Sequence, residues 1–151
     1  MAQDKAIADI LPTFITKKLF TDSIPSIDAF DLDYFEARIK ALQAAFPEPF
    51  ITHCLAIKAN PIRGVLHFAV KNGLGLEVAS VCEALLGLST GLESQKVIYD
   101  SPCKSKADLE QVIKQGLQIN LDNEHEAQIV DHLLKTTCRG KYFTFPFCCH
   151  F

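Results

Sequence analysis

The chain has no run approaching the ~18 consecutive apolar residues that a membrane span requires. Its amino terminus, MAQDKAIADILPTF, sets Asp4 and Asp9 inside what would have to be the apolar core of a signal segment. Both features argue against a membrane or secreted protein, and a cytoplasmic setting is expected. Charge of one sign is not in excess either: 15 Lys and Arg against 18 Asp and Glu leave a net charge of -3, with no basic footprint for nucleic acid or anionic membranes. Paired cysteine spacing is also missing. Cys54, Cys82, Cys103 and Cys138 are scattered, which favours reduced thiols over a disulfide framework. Cys148, Cys149 and His150 are adjacent, too crowded for tetrahedral zinc, and no second ligand pair follows at finger-like spacing, so no metal site is expected. What remains is a 151-residue chain, 48% hydrophobic and 22% charged, long enough for one ordinary domain with a core and short for a two-domain enzyme.

The informative stretch is FITHCLAIKANP, Phe50 to Pro61, where an apolar run ends on a lysine and turns at once into Asn-Pro. Strand alternation puts Phe50, Thr52, Cys54, Ala56 and Lys58 on one face and Ile51, His53, Leu55 and Ile57 on the other. Asn60 suits the cap of a following helix and Pro61 its first position, where a missing N–H costs nothing. Lys58 is thus expected in a strand-to-helix turn, at the sheet edge where parallel α/β folds carry their chemistry, with burial there desolvating the amine.

Residues 1–30, broken by Pro12 and Pro25, show little periodicity and are expected to be an extended lead-in. Asp33 is a candidate cap for a helix to about Ala45, with Phe35, Ile39, Leu42 and Phe46 on one stripe. After the Lys58 strand, Ile62, Val65, Leu66 and Ala69 mark a helix closed by Gly73. Strand GLEVAS (75–80) leads into a helix with a Ser80/Glu83 capping box. Strand KVIYD (96–100) leads into one with a Ser105/Asp108 box, ending at Gly116. Strand LQINL (117–121) passes through Asp122 and Asn123 into a helix carrying Ala127, Val130, Leu133 and Leu134. Strand starts at 51, 75, 96, 117 and a possible fifth at 141 are 24, 21, 21 and 24 residues apart. A strand-helix repeat of this kind demands parallel, right-handed βαβ units, with both sheet faces expected to be covered. An open doubly wound sheet and a closed (β/α)8 barrel compete, and a full barrel of ~200 residues or more does not fit.

AIKANP (56–61), GLGLEVAS (73–80) followed by Glu83, VIYDSPCK (97–104) and INLDNEHE (119–126) stand in the order found in one family. Together they resemble the fold-type III pyridoxal-phosphate decarboxylases, which act on ornithine, arginine or diaminopimelate. The resemblance covers about Asp31 to Leu134 and implies an α/β fold. The expected architecture is a partial (β/α)8 barrel of the alanine racemase-like cofactor-binding type, about four βα units plus an N-terminal helix. It implies pyridoxal 5'-phosphate as cofactor, with Lys58 matching the Schiff-base lysine and Ala56 a small residue beside the ring. Glu77 stands where the family usually has an acid, most often the shorter aspartate. Glu83 matches a recurrent acid that helix capping explains equally well.

The motifs leave other polar residues in plainer roles. Cys103 is expected to be a structural loop thiol, Lys104 a surface lysine, His53 packed against a helix on the face opposite Lys58, and His125 and His132 a solvated helix face. After CRGK (138–141) the family pattern stops. Residues 141–151, KYFTFPFCCHF, hold four phenylalanines, one tyrosine, two cysteines and a proline and do not match the next strand. The expected organisation is therefore a lead-in (1–30), a truncated cofactor-binding barrel (31–140) and a divergent tail (141–151), with the family's β-rich second domain absent. The function expected is that of the N-terminal fragment of a decarboxylase for a small amino acid of the diaminopimelate or ornithine class, not active alone. It would pair as a homodimer, or as a heterodimer with a full-length subunit. The alternatives are a regulatory, non-catalytic homologue that binds such a subunit, and a pyridoxal-phosphate carrier protein.

Overall fold

The computed structural model describes residues 2–137, and their side chains from residue 8 to residue 136. The possible strand at 141, Cys138, the Cys148-Cys149-His150 cluster and the divergent tail lie outside the described residues. The chain divides into two compact units, 1–32 and 33–151.

The first unit is not extended. It opens with helix α1, Ala2–Thr16. Ala2, Ala6 and Ala8 supply strong helix propensity. Pro12 lies inside the helix, where its missing N–H removes one ladder bond without ending the run. The chain leaves α1 through Lys18, whose φ of 51° is left-handed. A tight Thr21–Ile24 bridge follows, reinforced by the Thr21 hydroxyl accepting from the Ile24 N–H at 3.0 Å.

The second unit is built around a sheet of four parallel strands in the order β1-β2-β3-β4: β1 Cys54–Ala56, β2 Gly75–Val78, β3 Val97–Tyr99 and β4 Gln118–Ile119. Helices α2 (Leu32–Ala45), α3 (Arg63–Lys71), α4 (Val81–Leu88), α5 (Lys106–Gln115) and α6 (Glu124–Thr137) precede, separate and follow the strands. Spatial order equal to chain order excludes a doubly wound sheet, whose strand order must reverse at a switch point. These are four consecutive units of a (β/α)8 barrel.

The faces of the sheet follow from this winding. Leu76, Val78, Val97, Tyr99 and Ile119 are buried in one cluster with Leu66, Ala84, Leu109, Val112, Ile113, Val130 and Leu133 from α3 to α6. The alternate residues Ala56, Glu77, Ile98 and Gln118, which are neighbours across the strands, are only half-buried. One face is thus covered by helices and the other is open, correcting the expectation that both would be covered. A smaller cluster sets Ile39 and Phe35 of α2 against Ala69 of α3 and Leu74, whereas Leu42 and Phe46 are exposed. Asp33 sits in the first turn of α2 rather than before it.

Helix entry shows how side-chain length sets a cap. In α5 the box closes as expected: Asp108 N–H donates to Ser105 Oγ at 3.1 Å and Asp108 Oδ2 accepts from Ser105 N–H at 3.2 Å. In α4, Glu83 N–H donates to Ser80 Oγ, but the longer carboxylate reaches one residue further back and accepts from Ala79 N–H at 2.7 Å. In α6, Glu126 repeats the offset, its N–H on Asn123 Oδ1 and its carboxylate on Asp122 N–H at 3.1 Å. Each form satisfies two otherwise unpaired donors at the helix start. Among the described residues no helix is long and apolar enough to cross a membrane.

Candidate active site at the carboxyl edge of the sheet

The strand expected from Phe50 to Lys58 shortens to Cys54–Ala56. On the near side, Pro47 precedes and Pro49 lies within a turn in which Ile51 N–H bonds Glu48 C=O at 3.0 Å, and Phe50 is exposed. His53 is held there, its Nε2 3.1 Å from Phe46 C=O. On the far side the chain tightens into a 3-10 turn, Ile57–Ala59. Asn60 does not cap α3. Its Oδ1 accepts from Ile62 N–H at 3.1 Å, a local turn, and Ile62 takes the cap position with no side-chain bond.

The 3-10 turn breaks the strict alternation that put Lys58 in line with Ala56. It nevertheless delivers Lys58 to the same edge: its Nζ lies 3.9 Å from Oε1 of Glu77, and Glu77 is the register partner of Ala56. The lysine side chain is 67% exposed, so the desolvation expected of a buried strand end is absent. The amine is instead open to a ligand arriving over the carboxyl edge. Burial raises Glu77 above its ordinary 4.5; Lys58 pulls it back, while Asp100 and Glu83 add to the rise. Cys54 lies on the same sheet, paired with Gly75, and burial with the Glu77 charge pushes its thiol up to about 11, an unreactive form.

Two groups were not legible as parts of this edge. Asp100 follows β3, its N–H bonded to Val78 C=O at 2.9 Å, and alternation places it on the open face with Glu77. Lys104 is not a surface lysine. Its ammonium is fully buried and donates to Ser101 C=O at 2.6 Å, Asp122 Oδ2 at 2.7 Å and Glu126 Oε2 at 3.0 Å. Burial works against the charged form, but the two carboxylates outweigh it and raise Lys104 above its ordinary value. Both groups lie within motifs visible in the sequence, yet nothing in the sequence marks contacts across 18 and 22 residues. His125 and His132 are exposed, as expected of a solvated face, and no metal-ligating cluster occurs among the described residues.

Residues 32–139 match the family described as pyridoxal-dependent decarboxylase, pyridoxal binding domain. The chain belongs to this decarboxylase family. Its cofactor is pyridoxal phosphate. The chain is 28% identical over 120 residues to antizyme inhibitor 2 of Xenopus laevis, covering 78% of this chain and 26% of that protein. It is equally 28% identical over 120 residues to ornithine decarboxylase of Mus musculus, with 78% and 25% covered. The chain thus spans about a quarter of the length of the curated relatives it matches. Diaminopimelate decarboxylase from Helicobacter pylori, solved with L-lysine, superposes with a TM-score of 0.67 over 71% of this chain and 27% of that one, at 20% identity. That likeness is one of fold. The residues at the edge suit the family's cofactor in kind: an accessible primary amine able to hold an aldehyde, a methyl side chain that leaves room on the open face, and a carboxylate beside both.

Proposed function

We propose that this chain carries the Schiff-base lysine portion of a pyridoxal-phosphate-dependent amino-acid decarboxylase site, with Lys58 as the residue that would hold the cofactor. The observation that carries the reading is the position of Lys58 Nζ at the carboxyl edge, 3.9 Å from Glu77 and beside Ala56, within the residues matched to the pyridoxal binding domain. When bound, the cofactor supplies an electron-poor ring that takes up the electron pair left as a substrate carboxylate departs as carbon dioxide. The protein's own groups orient and exclude. Ala56 keeps the open face low beneath the site. Glu77 offers a carboxylate that keeps a proton more readily than an ordinary one. The helix-packed face behind Leu76 and Val78 keeps the strand ends from shifting. Substrates of the diaminopimelate or ornithine class fit the relatives' names, and turnover is expected only in an assembly, as a homodimer or paired with a full-length subunit. A cytoplasmic setting accords with the unpaired thiols of Cys54, Cys82 and Cys103.

The test is reductive trapping. The protein is incubated with pyridoxal phosphate, reduced with borohydride and digested, and the expected result is a pyridoxyl mass on the peptide containing Lys58. Lys58→Ala should abolish the label with an unchanged circular dichroism spectrum. A parent protein that takes no label, or a label that persists on another lysine, overturns the assignment. A second reading is favoured by the 28% identity to antizyme inhibitor 2: a regulatory homologue that binds a full-length decarboxylase subunit without turnover. Label at Lys58 with no carbon dioxide released from ornithine or diaminopimelate, together with co-purification with such a subunit, supports it.

A further inference from the structure

Only three polar or charged residues are buried among the described ones, Ser101, Lys104 and Glu126, and all belong to one cluster. Its centre is the Lys104 ammonium, whose three N–H donors are matched by three acceptors: the Ser101 carbonyl, Asp122 Oδ2 and Glu126 Oε2. The partners come from different elements. Ser101 is in the loop leaving β3, Asp122 in the loop leaving β4, and Glu126 in the first turn of α6, where its carboxylate also holds Asp122 N–H. The cluster therefore ties together two consecutive loops on the edge that carries Lys58 and Glu77. Ser101 is bound further by its own hydroxyl, which donates to Cys103 C=O at 3.1 Å, so the lysine grips a carbonyl in an already tight loop.

Asp100 is the residue immediately before this gripped carbonyl. Its backbone is fixed on one side by the bond to Val78 C=O, and Tyr99 before it is locked in the core. On the other side the next fixed point is the Ser101 carbonyl on Lys104. We propose that Lys104 is a positioning residue for the carboxyl-edge site: by clamping the β3 and β4 loops together it holds the Asp100 carboxylate on the open face, in range of Glu77. The groups that bear on Glu77 are Lys58 from the 3-10 turn, Asp100 from the end of β3, Glu83 from α4 and, across the strand, the Cys54 thiol. Lys58 attracts, and Asp100 and Glu83 repel. Of these, Asp100 alone immediately precedes the residue whose carbonyl Lys104 binds, so releasing the clamp is expected to relax one repulsion and leave the others in place.

The inference deepens the reading of Lys58 and Glu77 as a cofactor site, but its test is run without cofactor, so it can fail while the labelling of Lys58 succeeds, and the reverse. The Glu77 carboxyl carbon is followed by NMR across a pH series in 13C-labelled protein. Asp100→Asn is expected to move the Glu77 midpoint down, toward the ordinary carboxylate range. Lys104→Met/Glu126→Gln is charge-neutral, leaving the long-range field unchanged, and is expected to move it down by a comparable amount. Should that variant fail to fold, Lys104→Gln/Asp122→Asn is also charge-neutral, keeps polar groups in the cluster and is expected to act in the same direction. A folded clamp variant whose Glu77 midpoint matches the parent overturns the proposal, and so does an Asp100→Asn midpoint that does not move.

Discussion

Glu77 shows what a single residue contributes when two adjacent strands set its surroundings. Its carboxyl is held above 4.5 by burial first, and then by Asp100 and Glu83 against the pull of Lys58. The folded chain therefore keeps a proton on Glu77 at pH values where the unfolded chain has lost it. Stability contributed by this group is complete below the unfolded value and is lost as pH rises through the folded one. Glu77→Gln removes that dependence, so the variant is expected to lose less stability than the parent as pH rises from 4.5 through the folded value. Urea melts at a series of pH values check this, and equal slopes for parent and variant would refute it. The sequence put Lys58 and Ala56 on one face by strand alternation, and its ordered motifs add Glu77 to them as a candidate by resemblance. It did not reveal that the amine is exposed, since exposure depends on the 3-10 turn after Ala56 and on which sheet face lacks helices.

Among the elements, β2 lies between β1 and β3 and pairs with each over three residues. At its start, Gly75 has no room for a side chain: a Cβ there would come within 2.7 Å of Lys96 C=O and 2.8 Å of Cys54 Sγ. Gly75→Ala must push a backbone carbonyl aside and is expected to cost ~1–3 kcal/mol, the range of overpacking changes in a well-filled core. A denaturant midpoint unchanged from the parent would contradict it. Five of the helices, α2 to α6, and all four strand positions were legible from apolar spacing and from Ser80, Ser105, Gly73 and Gly116 as stops and starts. Two local features were not. Asn60 spends its side chain on a turn rather than on α3. Pro12 does not stop α1, which runs through it to Thr16. Lys104 belongs to the same class of miss. A lysine in a loop is solvated by default, and only two carboxylates, brought in from the loop after β4 and from α6, make its burial tolerable.

For the whole molecule, both apolar clusters draw on residues from Phe35 onward, and among residues 8–32 none is buried. The repeat of strand and helix, the parallel direction, the family and the lysine at a strand end were all determined by the sequence itself. They are set by periodicity, turn chemistry and short motifs, which act within a few residues along the chain. Tertiary structure alone decided the rest: that Ala56, Glu77, Ile98 and Gln118 lie on a face the helices leave open, and the burial of Lys104 among Ser101, Asp122 and Glu126. Both depend on which strand lies beside which. That pairing is set by the packing of the helices against one another and against the sheet, not by any local preference of the residues concerned.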